Sequence, residues 1–155
     1  MLDRRELLAG ALASVGTPAD RQLAPLTRAV IAWIARRSRR LVEIGAGDGY
    51  WARPLRAAGV EVAAYDIEPR GPGVIRGSHL DAALAHPGWP MLAVWPPDGA
   101  SISRWIAATP WPEVYVVADH QRLWFGDALA GYAEIARLAL PDGYEGSNEL
   151  VAWRR

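Results

Sequence analysis

The chain has 155 residues, half of them apolar, and its 17 basic residues, all arginine, balance 17 acidic ones. That length fits one domain with a real core, and zero net charge supplies no general pull toward nucleic acid or an anionic membrane surface. The absence of cysteine excludes a disulfide framework and a thiolate metal site, and no apolar run reaches the ~18 residues of a bilayer span.

In chain order, Leu2, Leu7, Leu8 and Ala11 share one face of an amphipathic helix that Gly16-Thr17-Pro18 ends. Arg4-Arg5 ahead of this stretch also has some likeness to a twin-arginine export signal, against which Glu6 and the short, alanine-rich apolar part weigh. A second helix opens at Ala19-Asp20 and runs to about Ser38, with an irregularity at Pro25. Leu26, Val30, Trp33 and Ile34 are spaced to face a core. Arg36, Arg37, Arg39 and Arg40 follow, either as cations at a helix carboxyl end or as a patch for a polyanion. The balanced charge of the rest of the chain favours the first.

The most informative stretch is Leu41 to Pro69. Leu41, Val42 and Ile44 form a short apolar run with one carboxylate, Glu43, as a strand buried on both faces does. Gly45, Gly47 and Gly49 alternate through a tight turn and leave room for backbone and ligand to approach. Trp51, Leu55 and Ala58 line one side of a helix that tolerates Pro54 in its first turn and ends at Gly59. Val60 to Tyr65 is a second strand, with Asp66 at its carboxyl end. A glycine turn at a helix amino terminus suits a polar or anionic ligand, and a carboxylate ~20 residues later suits the hydroxyls of a ribose. The pattern predicts a nucleoside-containing cofactor. A nicotinamide fingerprint requires glycine at position 50, where Tyr50 stands.

Further along, Val74-Ile75-Arg76 is a short third strand, and a helix spans about Leu80 to His86. Met91 to Trp95 is the fourth strand, running into Pro96-Pro97-Asp98-Gly99. The proline pair stiffens the strand exit where ligands bind in open α/β sheets. Ser101 is expected to cap a helix to Ala108, with Ile102, Trp105 and Ile106 inward. Glu113 to Ala118 is the fifth strand, and Asp119-His120 stands at its end, where a histidine is able to act as a general base. Gly126 to Glu134 reads as a helix that buries Leu129, Tyr132 and Ala133, and Glu149 to Arg154 as a final strand.

Glu43-x-Gly45-x-Gly47-x-Gly49 followed by Asp66 resembles motif I and the next acidic strand end of class I S-adenosylmethionine-dependent methyltransferases. The resemblance is close over Leu41–Pro69 and extends over about Leu26 to Arg154. It implies a single-domain, Rossmann-like α/β/α sandwich of about seven strands, mostly parallel with the last antiparallel. In it, 1–38 supplies helices over the sheet and 39–155 the cofactor-binding core. A sixth strand is then expected at Ile135–Leu140. The family pattern places Gly45, Gly47 and Gly49 around the methionine part of the cofactor, Asp66 on the ribose and Ile67 on the adenine, with Glu43 and Ala46 also among the cofactor-binding residues. Ser78, with His79 and Asp81 as alternatives, is placed at the base. Trp95-Pro96-Pro97-Asp98 is similar to the family's motif IV, although Trp95 replaces a polar residue and Asp98 an aromatic one. Trp95 is thus expected at the cofactor, and Asp98 and His120 are the candidate catalytic groups. Tyr50, Trp51, Trp95 and Trp124 are candidate pocket walls. The implied enzyme is cytoplasmic and metal-free, takes a small-molecule acceptor rather than nucleic acid or membrane, and has an acceptor pocket that is shallow or completed by a second copy in a homodimer. A binding module of the same fold without transfer activity is the competing reading.

Overall fold

The computed structural model describes residues 27–119, 126–143 and 146–155. The expected helices before Thr27 and the candidates His120 and Trp124 lie outside the described residues.

Helix α1 (Arg28–Arg37) starts at Thr27, whose side chain accepts from Val30 N, and turns Val30, Ile31 and Ile34 inward. Strand β1 (Arg40–Ile44) follows, then helix α2 (Ala52–Ala57) and strand β2 (Glu61–Asp66). Strand β3 (Val74–Arg76), helix α3 (His79–Ala85), strand β4 (Met91–Val94) and helix α4 (Gly99–Ala107) continue the alternation. Strand β5 (Glu113–Asp119), a 3-10 turn (Gly126–Leu129), and strands β6 (Ala133–Gly143) and β7 (Gly146–Arg154) complete it.

The strands form one seven-stranded sheet in the order β3-β2-β1-β4-β5-β7-β6. The first five pair in parallel, and β7 runs antiparallel to both of its neighbours. Alternate strand residues point to opposite faces. Leu41, Leu92 and Tyr115 therefore pack with Ile31 and Ile34 of α1 and Leu55 of α2. Val42, Met91 and Val114 pack on the other face with Ala82 of α3 and Ile102 and Ile106 of α4. Both faces are covered, which explains why β1, β4 and β5 read as continuous apolar runs. Among the described residues, no helix is long and apolar enough to cross a membrane.

The arginine run is drawn into this frame. Arg37 grips Glu113 with two bonds, Nε–Oε2 at 2.8 Å and Nη2–Oε1 at 3.0 Å, and Arg154 Nε reaches Oε1 at 2.9 Å. The buried Tyr115 hydroxyl donates to the same carboxylate. Arg40 lies over the Trp89 ring, 5.4 Å from its centroid.

Three expectations are corrected. The helix expected from about Ala19 to Ser38 does not run through Thr27, whose backbone is extended (φ −104°, ψ 157°) and caps a helix that starts at Arg28. The stretch 126–134 is not a helix: Gly131 adopts φ +83° and breaks the turn after Leu129. Ala133 onward instead pairs with β7, from Ala133 opposite Arg154. Leu129 and Tyr132 still pack on the core, a true burial signal attached to the wrong element, whereas Ala133, also expected inside, is exposed. Helix α4 begins three residues earlier than Ser101 suggested, because Asp98 caps it and Ser101 is buried inside it.

Candidate functional site

β1 and β4 lie side by side at the centre, with β2 beyond one and β5 beyond the other. The chain therefore leaves their carboxyl ends in opposite directions, and a crevice opens between the departing segments.

The glycine turn stands at that opening. Gly45 N and Ala46 N both donate to Tyr65 O, at 2.9 and 3.0 Å, which ties the turn to β2. Gly47 adopts φ +57°, a region that costs an L side chain about 1–2 kcal/mol. Its N–H donates to Asp66 Oδ2 at 2.8 Å, while Asp66 Oδ1 accepts from Glu68 N at 2.8 Å. The acid thus holds the turn on one side and its own loop on the other. Arg70 N closes the unit with a 2.9 Å bond to Gly47 O. At Gly71 an added Cβ would stand 2.1 Å from Asp48 O, so only glycine permits this loop to lie on the turn.

A cavity of about 400 Å³ opens beside the turn, between α3 and α4. Gly45, Asp66, Ile67, Trp95, His79 and Arg104 are among its lining residues. Ile67 is 69% exposed there, an apolar side chain presented to a hollow rather than to the core. Trp105 lies along the floor, its ring 3.2 Å from where a Cβ on Gly45 would be. Trp95 has φ +50°, the one non-glycine residue above zero among those described. A 2.7 Å bond from its N–H to Val117 O holds it there. Strain of ~1–3 kcal/mol in a bulky residue before a proline persists only where the surroundings impose it, and such positions cluster at binding sites.

Of the residues expected from the sequence, Gly45, Asp66, Ile67 and Trp95 meet at this cavity. Gly47 and Gly49 shape the turn, with φ +57° and +81°, and Ala46 is buried behind it. Their requirement for glycine comes from the backbone's own left-handed conformation. Ser78 is taken up as the cap of α3, in a reciprocal bond pair with Asp81, and His79 lines the cavity in its place. Asp98 accepts from Ser101 N at 2.6 Å as the α4 cap, which lowers its pKa. Tyr50 packs half-buried against the core, and Trp51 is buried in it instead of forming a wall.

Glu43 is 2% exposed, and burial pushes its carboxyl pKa up to about 8. Its Oε2 and the buried Trp51 Nε1 have no hydrogen-bond partner among the described residues. Sequence reasoning missed Ser101, Arg104 and Trp105 as lining residues. Their i, i+3, i+4 spacing directly after the Pro-Pro turn places them on one helix face and was the available signal. Burial lowers the His79 pKa, and nearby Arg104 lowers it further. Among the described residues, no three metal-ligating side chains gather.

Residues 17–133 match the family model described as a methyltransferase domain. No curated protein matches the chain. Among solved structures, magnesium protoporphyrin IX methyltransferase from Synechocystis PCC 6803 with bound SAM aligns over 100% of this chain and 98% of its own, at 14% identity and TM-score 0.60. The 23S rRNA methyltransferase ErmE aligns over 86% of this chain and 69% of its own, at 18% identity and TM-score 0.55. The 1,6-didemethyltoxoflavin-N1-methyltransferase from Burkholderia thailandensis aligns over 98% and 86%, at 13% identity and TM-score 0.56. These similarities concern the fold.

Proposed function

The chain belongs to the methyltransferase domain family, whose cofactor is S-adenosylmethionine, and we propose that the crevice between β1 and β4 holds that cofactor while a small-molecule acceptor is methylated beside it. In this reading the glycine turn from Gly45 to Gly49 lies against the methionine part. Asp66 accepts from the ribose hydroxyls, and the cavity walled by Ile67 and Trp105 takes the base.

The observation that carries this is the bond between Gly47 N and Asp66. It makes the turn and the acid one rigid unit, facing a cavity whose 400 Å³ falls within the usual range for small-molecule sites. The cradle fits the group. A carboxylate offers about four lone-pair positions, and Asp66 spends one bond per oxygen on backbone N–H groups, which leaves capacity for two hydroxyls.

When bound, the cofactor supplies an electrophilic methyl group on sulfonium, which an acceptor lone pair attacks as the carbon–sulfur bond breaks. The chain's contribution is position. Asp66 and the glycine turn fix the nucleoside, and the strained Trp95 stands at the strand exit where the acceptor side begins. Holding reactants at attack distance contributes several kcal/mol without a dedicated base.

A small acceptor is supported by charge. The net charge is zero, and Arg37 and Arg40 are engaged with Glu113 and Trp89 rather than spread as a phosphate-binding face. Incubation with labelled S-adenosylmethionine across amines, phenols, N-heterocycles and RNA tests this reading. Transfer to a small-molecule class is expected. Transfer to RNA alone would refute the acceptor assignment, and tight cofactor binding with transfer to nothing would recast the protein as a binding module.

A further inference from the structure

Two buried polar groups bracket the glycine turn. Glu43 precedes Gly45 by two residues on β1, and Trp51 follows Gly49 by two residues at the cap of α2. Side chains alternate along a strand, so Glu43 shares the face of Leu41, where Trp51 is also buried. Glu43 Oε2 and Trp51 Nε1 have no hydrogen-bond partner among the described residues, and neither residue is among those lining the cavity. Four charged groups act on Glu43: Arg56 and Arg53 from α2, Asp48 from the turn and Asp66 from β2. Arg56 gives its N–H groups to Val62 O and Gly73 O, and Arg53 Nη1 donates to Asp48 O at 2.7 Å. The two cations and two anions oppose one another, so burial decides, and the carboxyl keeps its proton at neutral pH.

We propose that Glu43 is a proton switch under the glycine turn, protonated in the free protein and ionised when S-adenosylmethionine lies against the turn, so that the site favours the charged cofactor over its spent product, S-adenosylhomocysteine. The inference rests on the cofactor placement proposed above. The two ligands share an ammonium and a carboxylate and differ by one positive charge, at sulfur. Away from water, that charge stabilises a carboxylate far more than it would in solvent. On ionisation the carboxyl O–H bond breaks, the electron pair stays on oxygen and the proton passes to solvent. The Trp51 N–H is an uncommitted donor on the same face for the new charge. Methyl transfer removes the sulfonium charge, Glu43 regains a proton, and the product is held less tightly. By linkage, affinity for S-adenosylmethionine rises with pH toward the free protein's value of about 8 and levels off above it.

Titration calorimetry at neutral pH, repeated in buffers of differing ionisation enthalpy, counts the protons released on binding without any turnover. The unaltered protein is expected to release at least about half a proton more with S-adenosylmethionine than with S-adenosylhomocysteine. Glu43→Gln should bring the two counts together. The ligands' own α-amino groups titrate near ~8 against either protein, so the difference between the proteins isolates Glu43. Between mildly acidic and mildly basic pH, the affinity ratio of the unaltered protein should move toward S-adenosylmethionine by roughly tenfold more than that of the variant. The comparison of ligands on the unaltered protein needs no variant, so it stands whether or not Glu43→Gln folds. Equal counts for the two ligands on the unaltered protein, or an undiminished difference in Glu43→Gln, would overturn the proton switch while binding itself leaves the cofactor reading standing. Binding of neither ligand would overturn both.

Discussion

At the amino-terminal edge of the sheet, Glu113 is half-buried and saturated. Arg37 donates to it twice, Arg154 once, and Tyr115 through its hydroxyl. At the carboxyl-terminal edge, Glu43 is more deeply buried, and its Oε2 has no such partner among the described residues. A sheet that can satisfy a carboxylate with three side chains at one end is not short of donors in general. Glu43 stands two residues before Gly45 on β1, so the unsatisfied carboxyl lies beside the glycine turn, at the same end of the sheet as the strained Trp95. Local rules of polar satisfaction and backbone comfort are obeyed where the sheet is only structural and broken at the end proposed to bind.

The contrast is broken most severely by removing its saturated half. Glu113→Ala leaves the buried Tyr115 hydroxyl without its acceptor and the partly exposed Arg37 without its carboxylate, a loss of about 2–4 kcal/mol together. Chemical denaturation measures the fall, and cofactor affinity at 25 °C should stay unchanged in whatever fraction remains folded.

The two carboxylates also predict opposite responses to pH. Burial raises the Glu113 pKa, but the bonds from Arg37, Tyr115 and Arg154 outweigh it and hold the group below its ordinary value of 4.5. Its contribution is therefore present above about pH 4.5 and is lost as acid protonates the folded state. Glu43 behaves the other way, since burial raises its folded value to about 8. The folded state then retains a proton that the unfolded chain releases above about 4.5, and stability declines as pH rises from there through 8. Glu43→Gln removes this decline. Against the unaltered protein it should be nearly neutral at pH 4 and more stable by on the order of 3 kcal/mol at pH 9, followed by urea midpoints. Equal pH slopes for the two proteins would contradict a buried, uncompensated carboxylate.

A smaller effect sharpens the binding half. Gly47→Ala places a side chain at φ +57°, at about 1–2 kcal/mol, where the new methyl would also meet Arg70 Nη2 at 3.0 Å. Thermal shift should register the loss, and S-adenosylhomocysteine should restore less of it than in the unaltered protein.

Much of this was legible in the sequence where signals are local. The buried strand at Leu41–Ile44, the alternating glycines and Asp66 fall within one βαβ unit, so pattern alone placed them correctly. The cavity was less legible because distant segments build it: α3 brings His79 and α4 brings Arg104, and only the sheet order sets them face to face. Adjacent residues divided their roles in ways that capping chemistry decides. Ser78 serves Asp81 while His79 meets the cavity, and the Ser-x-x-Asp spacing carried that information. The error at Gly126–Glu134 came from reading helical spacing over nine residues without the long-range pairing to β7 that overrode it.

The most direct test of the central claim is calorimetric titration of S-adenosylhomocysteine into the unaltered protein and into Asp66→Asn, which keeps the size of the side chain and one oxygen acceptor for Gly47. One equivalent should bind the unaltered protein, and the variant should bind about 10–100-fold more weakly. Equal affinities, or no binding to the unaltered protein, would contradict a cofactor held between the glycine turn and this acid.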